Sequence, residues 1–404
     1  MAGGRDQEGN VNAGQQAFAA LDRLIAPMAP ETFFDRHYDL APLHCPRADP
    51  ERYRHLLTIQ ALDAYIDAAD LRHNMVQLVR GQARVPPESF TSADGRIIAS
   101  AAAEQYLQGA TIILPHLQES MPALGDYCRA LEMHFSCHVQ ANAYLTPGGH
   151  SGFGAHQDGH DIFVMQIEGA KSWRLYDRCA PSAFRGEAGD VVPGHAEGVR
   201  GSFTLHPGDC LYLPRGVVHE ADNEGDAPSL HITIGLLTRT WGDLVLAAAA
   251  EVARGDPAFA RPLPPGYARQ GFDQAAMLER LGHIFHSLSG KVQTSDAIDL
   301  LVDDFLHGRR PKVAGVIAAG ANVPCRGERY RRRPLVQFRI GQSADGPVLT
   351  GPGGDLRFGG EERAALDVAL SGRLFALPEL ECPDPKRLFR RLWANGYLEA
   401  TPDR

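Results

Sequence analysis

Three textures of apolar and polar positions follow one another along the chain. Residues 17–40 look helical: Leu21, Leu24, Ile25 and Met28 share one face, and Pro30-Glu31-Thr32 opens a second helix through Phe33, Phe34 and Tyr38. Stretches 101–108 and 122–131 read as further helices, and 111–114 as a strand. From about 137 to 240, short runs rich in β-branched and aromatic residues alternate with Gly/Pro turns: HVQANAYL, DIFVMQIEG, KSWRLYD, GSFTLHPGD, CLYLPRG, VVHEA and SLHITIGLL. Strands this short and evenly spaced predict a β-barrel or double-sheet jelly roll. After Thr240 the strands stop, and 241–255, 273–289 and 294–308 read as helices. In the second of these, Met277, Leu278, Leu281, Ile284, Phe285 and Leu288 form one apolar stripe, for which packing within the chain is the simplest fate. The last region holds a strand-like PLVQFRI, helices at 361–370 and 384–395 and a short YLEA strand. That order is compatible with a small winged helix.

Composition sharpens this picture at a few points. The chain has 404 residues, 44% of them hydrophobic, enough for two or three cores. A formal net charge of −9 argues against wholesale binding of nucleic acid or membrane surface. No apolar run approaches the length of a transmembrane helix, and the polar residues 1–16, read as a mobile tail, lack the apolar core of a secretory signal. Seven cysteines are scattered without a CxxC pair, which suits reduced thiols in the cytoplasm. Basic and acidic residues nearly balance beyond position 327, so a DNA-reading module is not expected there. The basic run 329–333 reads as an exposed linker rather than a phosphate patch. Of 40 basic residues only four are lysine: Lys171, Lys291, Lys312 and Lys386. In so arginine-rich a chain each lysine merits inspection.

Two imidazoles and a carboxylate on one face of an ion are the donor set of mononuclear Fe(II) oxygenases, which leave the opposite face open. His156-Gln157-Asp158 supplies the first pair, because residues i and i+2 of an extended strand point the same way. The triplet alone is weak, since His37-Tyr38-Asp39 has the same form in a helical context. The segment GDCLYLPRGVVHEADN is stronger. Gly208 and Asp209 turn into a strand, Pro214-Arg215-Gly216 makes a tight turn, and the next strand aims His219 inward, with Asn223 following. Asp158 and His219 are 61 positions apart, room for a barrel to return its chain to the same ion. Rival histidines nearby are His150, His160, His195, His206 and His231. His206 is expected to be exposed, and His231 reads more readily as a hydrogen-bonded core residue than as a pocket residue.

The spacing Gly208, Pro214, Gly216, His219, Asn223 resembles the second conserved motif of cupins. With QANAYLTPGGHSGFGAHQDGHDIFVMQIEGAKSWRLYD, the chain is similar to the JmjC/cupin-type 2-oxoglutarate oxygenases, and within them to the ribosomal oxygenases, which hydroxylate protein side chains. A plain cupin would show HxH and a later glutamate where this chain has Asp158. The resemblance covers most of the chain and implies a mainly β double-stranded β-helix catalytic domain over 17–240 including its N-terminal helical region, a helical dimerisation domain over 241–325 and a winged helix over 326–404. It implies that His156, Asp158 and His219 hold Fe(II), and that Lys171, fifteen positions after His156, binds the distal carboxylate of 2-oxoglutarate. Asn142 and Tyr144 match polar pocket positions, although ordinary strand hydrogen bonding would also account for them. Trp173 and Tyr176 read as packing. The implied reaction consumes O2 and 2-oxoglutarate and releases succinate and CO2. Its product is a hydroxylated protein or peptide side chain, possible targets being a histidine or arginine of a ribosomal protein, and the implied assembly is a homodimer. A metal-binding cupin scaffold without activity and an N-demethylase using the same site stay open as alternatives. The loop 186–198 suits either a specificity element or an idle surface loop.

Overall fold

The computed structural model describes residues 19–47, 49–179, 198–291, 294–320 and 328–401. The tail expected at 1–16 lies outside the described residues, as does all but the last position of the 186–198 loop. Up to residue 237 the described chain forms twelve strands: β1 (Leu43–Cys45), β2 (Gln77–Arg80), β3 (Ala83–Arg84), β4 (Thr111–Leu114), β5 (His138–Thr146), β6 (His150–Ser151), β7 (Asp161–Glu168), β8 (Lys171–Arg178), β9 (Gly201–Leu205), β10 (Cys210–Leu213), β11 (Val217–Asn223) and β12 (Ser229–Leu237). They build two antiparallel sheets, one ordered β1-β10-β7-β12-β5-β4-β2-β3 and one ordered β6-β11-β8-β9. Ile162, Val164, Leu211 and Leu213 of the large sheet share a core with Trp173, Leu175, Leu205 and Val217 of the small one, so the sheets face each other.

The other face of the large sheet is covered by helices. α1 (19–25), α2 (Pro30–Arg36), α3 (Ile59–Ala68), α4 (Ala99–Leu107) and α5 (Pro122–Phe135) contribute Leu21, Leu24, Phe33, Leu62, Ala102, Leu124 and Leu131 to a core shared with Phe163, Met165, Ile232 and Ile234. With apolar cover on both faces, β7 and β12 are buried along nearly their whole length, which is why DIFVMQIE and SLHITIGLL read as almost continuous apolar runs. β5 keeps its alternation. Val139, Ala141, Ala143 and Leu145 pack toward the helices, leaving Asn142, Tyr144 and Thr146 for the barrel interior.

Two turns of the GDCLYLPRG segment need glycine. Gly208 has φ +92, and a Cβ there would lie 2.0 Å from the Asp49 carbonyl oxygen. Gly216 has φ +82, and its Cβ would meet the Cys179 oxygen at 2.8 Å. Asp209 closes the first turn by accepting from the backbone N–H groups of Arg47 (2.5 Å) and His206 (2.8 Å). After β12 a capping box at Thr240 and Asp243 starts a helical segment of α6 (Trp241–Gly255), α7 (Ala275–Lys291) and α8 (Thr294–Gly308).

These helices depart from one expectation. The stripe of α7 is not buried within the chain: Leu278 is 56% and Phe285 61% exposed, and Trp241, Val245 and Leu246 on α6 are exposed as well. Among the described residues no segment of the chain covers that face.

The C-terminal region has its own core of Tyr330, Leu349, Leu366, Phe389, Leu392, Trp393 and Tyr397. Its elements are α9 (Val316–Ala319), β13 (Tyr330–Arg332), β14 (Arg339–Ser343), β15 (Gly346–Gly351), β16 (Gly354–Arg357), α10 (Arg363–Leu370), α11 (Pro385–Ala394) and β17 (Leu398–Ala400). Two further expectations are corrected here. PLVQFRI is a strand only at its last two residues, because Pro334 opens a turn in which Leu335 takes φ +62. The run 329–333 is no linker: β13 pairs with β17, and Arg333 is only 8% exposed.

Gly216→Ala is expected to destabilise the protein by about 2 kcal/mol through backbone strain at positive φ. Chemical denaturation checks this, and an unchanged midpoint would contradict the steric argument.

Candidate metal centre

β11 and the segment between β6 and β7 bring the three candidate ligands together. His219 lies on β11 beside a register shift between Val217 and His219, a bulge that re-aims its side chain. The backbones of His156 and His219 exchange two hydrogen bonds, of 3.0 and 2.8 Å. Asp158 is held by its carbonyl, which accepts from the Gly216 N–H at 2.9 Å. His156 and Asp158 do not stand on a regular strand, as their i, i+2 spacing suggested. His156 forms a single bridge with His219, and Asp158 follows outside any strand.

One ligand atom from each of His156, Asp158 and His219 lies within 4.8 Å of the others, and His219 Nε2 is 3.7 Å from Asp158 Oδ2. Both imidazoles are oriented from behind. His156 Nδ1 sits 2.8 Å from the Gly154 carbonyl, and His219 Nδ1 sits 2.9 Å from that of Val217. Donation from Nδ1 fixes the tautomer and leaves each Nε2 lone pair for an ion. Burial, then the neighbouring His156, lowers the His219 pKa to about 4 against the pull of Asp158, so this imidazole is neutral at physiological pH. Two imidazoles and a carboxylate fit a divalent first-row metal.

Lys171 opens β8 and is buried at 3% exposure, its Nζ donating to Thr146 Oγ1 at 3.0 Å. Thr146 also accepts from the Thr111 hydroxyl at 3.1 Å. Among the described residues no carboxylate ion-pairs with Lys171. Burial lowers its pKa to about 8, opposed by the charge of Asp222. A dry ammonium short of an anion suits an acidic ligand.

Tyr144 stacks on its cross-strand partner His231, ring centroids 4.7 Å apart, and burial followed by the charge of Asp158 raises its pKa. Asn142, two positions before Tyr144 on β5, accepts from the His116 backbone N–H at 3.0 Å. The structure thus gathers Asn142, Tyr144 and Lys171 on the interior face with the triad.

His231 is more than the core histidine its sequence suggested. It packs edge-on to Trp173, burial and then the nearby Lys171 hold its pKa well below the usual histidine value, and its buried Nδ1 has no hydrogen-bond partner. Thr146 carries no motif of its own in the sequence, although it continues the alternation of Asn142 and Tyr144 on β5. Asn223 of the sequence motif pins the end of β11 by donating to the carbonyls of Thr146, Pro147 and Ala227. Of the rival histidines, His206 is exposed, His160 lies against Gln140, and His195 lies outside the described residues.

A JmjC-domain family profile matches residues 117–244, which contain the triad, Lys171, Asn142 and Tyr144. The bifunctional lysine-specific demethylase and histidyl-hydroxylase NO66 of Dictyostelium discoideum is 33% identical over 63% of this chain and 51% of that protein. Ribosomal oxygenase 2 of Bos taurus is 30% identical over 75% of this chain and 68% of that protein. The chain belongs to the ribosomal oxygenase family. It spans about half the length of the NO66 relative. Another family member, the Escherichia coli ribosomal oxygenase YcfD solved with cobalt and 2-oxoglutarate, has the same fold. Its TM-score is 0.51 at 16% identity, over 93% of this chain and 98% of that one.

The depressed Lys171 pKa has a measurable consequence in this ribosomal oxygenase family member. Between about 8 and the unfolded value of 10.5 the unfolded state holds a proton that the folded state lacks. This group's contribution to stability therefore rises with pH across that window, and the penalty for the buried charge is fully present below it. Lys171→Met is expected to remove that component. Melting curves of metal-free protein from pH 7 to about 11 check it; identical pH profiles for the two proteins would contradict the burial of a charged Lys171.

Proposed function

We propose that this chain is an Fe(II)- and 2-oxoglutarate-dependent oxygenase that hydroxylates a protein side chain. The observation that carries the reading is the pairing, on one interior face, of a two-histidine, one-carboxylate triad with a buried lysine short of an anionic partner. His156, Asp158 and His219 would hold the metal, and Lys171 with Thr146 would hold the distal carboxylate of 2-oxoglutarate. Fe(II) and 2-oxoglutarate together supply the O2-activating chemistry, with succinate and CO2 as co-products. The carbonyls of Gly154 and Val217 keep the two imidazoles in the ligating tautomer. Trp173, His231 and Tyr144 pack ring against ring beside the triad, Trp173 lying 5.9 Å from His219. Asn142 and Tyr144 are assigned to cosubstrate or substrate contact.

The substrate we propose is a histidine or arginine side chain of a ribosomal protein. The relatives' names, ribosomal oxygenase and histidyl-hydroxylase, support that choice. The NO66 name also carries lysine demethylation, which the same site would perform on a carbon next to nitrogen. We assign 17–240 to the catalytic domain, 241–325 to a helical dimerisation domain and 326–404 to a winged helix. The separate C-terminal core and the uncovered faces of α6 and α7 support this division. Free cysteines at the six described positions suit a cytoplasmic setting. No helix among the described residues is long and apolar enough to cross a membrane.

Anaerobic loading with Fe(II) and 2-oxoglutarate, followed by O2, is expected to release succinate. Ribosomal proteins from a strain lacking this enzyme, added to that reaction, should gain one oxygen atom by mass spectrometry, and His156→Ala should give neither product. Turnover no greater than that variant's would overturn the oxygenase reading, and formaldehyde release would favour demethylation. For the dimer, Phe285→Arg is expected to shift the sedimentation of the full chain toward monomer; an unaltered profile would remove α7 from the interface.

A further inference from the structure

A second charged site lies far from the metal centre in sequence, where three parts of the chain meet. A cavity of about 380 Å³ is walled by α5, by residues 309–312 after α8, by β13 and the turn following it, and by the end of α11 with β17. Its lining carries six cationic side chains, Arg129, Arg309, Arg310, Lys312, Arg331 and Arg333, against two carboxylates, Asp126 and Glu399. The walls are tightly built. Gly396, at φ +77, lies so close to the Lys312 carbonyl that a Cβ would stand 2.5 Å from its oxygen.

The carboxylates do not neutralise this set. Asp126 is shared between Lys312, at 2.6 Å, and Arg129, at 3.3 Å. Glu399 is engaged by Arg331 at 2.8 Å, and from outside the lining Glu132 takes Arg309 at 2.8 Å and Glu119 takes Arg310 at 3.6 Å, which leaves four carboxylates for six cations. Arg333 pairs with no carboxylate among the described residues, yet it is more than nine-tenths buried. Its Nη2 donates to the carbonyls of Ala314 and Leu398, and its buried Nε donates to nothing. Arg309 is 4% exposed, and its Nη2 is likewise buried without an acceptor. Arginine does not shed its proton in a protein, so burial leaves a cation to be compensated from outside. Cationic side chains that line a cavity from several walls match a tetrahedral oxyanion with acceptors on every side better than a planar carboxylate.

We propose that this junction binds a phosphate group, free or carried by a small phosphate ester, which completes the coordination of Arg333 and ties the C-terminal module to the catalytic domain. The site is separate from the cosubstrate pocket, whose cation is Lys171. The proposal does not depend on the oxygenase reading.

Calorimetry of the full metal-free chain with inorganic phosphate, at ionic strength matched with chloride, tests it. Saturable one-to-one binding is expected, weakened about tenfold by Arg333→Gln and several-fold by Arg310→Ala, and unchanged by Lys171→Met. Arg310 is 66% exposed at its side chain, so its variant keeps the test alive should Arg333→Gln fail to fold. A nucleoside monophosphate binding more tightly than inorganic phosphate would assign the ester as the source, and equal or weaker binding would assign the free ion. The proposal is overturned by the absence of saturable binding, by acetate binding as well as phosphate, by equal affinity in Arg310→Ala and wild type, or by loss of binding in Lys171→Met.

Discussion

Two hydrogen bonds between the backbones of His156 and His219 join the halves of the candidate metal centre. They tie β11 of the small sheet to the segment that leads into β7 of the large one. Because both residues also carry candidate ligand side chains, this backbone contact also sets the spacing of the triad. The features around it serve the same end. The bulge before His219 turns its ring inward, Gly216 permits the tight turn and donates its N–H to Asp158, and Asn223 anchors the far end of β11. A ligand set placed by backbone pairing depends little on side-chain flexibility, which suits a site that must keep one face of an ion open.

Buried positive charge is the second theme. Lys171 and Arg333 are both buried without a carboxylate partner among the described residues, and both keep hydrogen bonds to neutral groups. A buried ion in that state carries an uncompensated desolvation cost, and an arriving anion relieves it. The same physics gives one reading inside the barrel, where we assign Lys171 to a carboxylate, and another at the junction, where several arginines line one cavity. Arginine and lysine divide these roles sensibly. One flexible ammonium suffices for a single carboxylate, whereas rigid forked donors suit an oxyanion approached from several walls.

The helical segment follows a different logic. α6 and α7 carry apolar residues outward, and exposed faces of this kind mark contact surfaces rather than core. The C-terminal region closes its own core around Tyr330, Phe389 and Trp393, so the helices are not needed to complete it.

Much of the catalytic region was legible from local chemistry. The strand runs, the turn glycines at 208 and 216, and the residue types of the triad follow from alternation, φ preferences and metal-donor chemistry, all of which act over a few residues. The scarcity of lysine singles out Lys171 in the sequence alone. What local pattern could not decide were the quantities set by distant neighbours. That His156 pairs with His219 rather than lying on a regular strand, that His231 joins the pocket wall beside Trp173, and that Thr146 partners Lys171 all depend on strand order. The apolar stripe of α7 looked ready for burial because amphipathicity states which face is apolar without stating what meets it. The run 329–333 looked solvated because charge alone cannot reveal that β17 pairs with β13 and closes over Arg333. Burial and convergence are properties of the folded chain, since desolvation and long-range contact appear only once segments far apart in sequence are packed together.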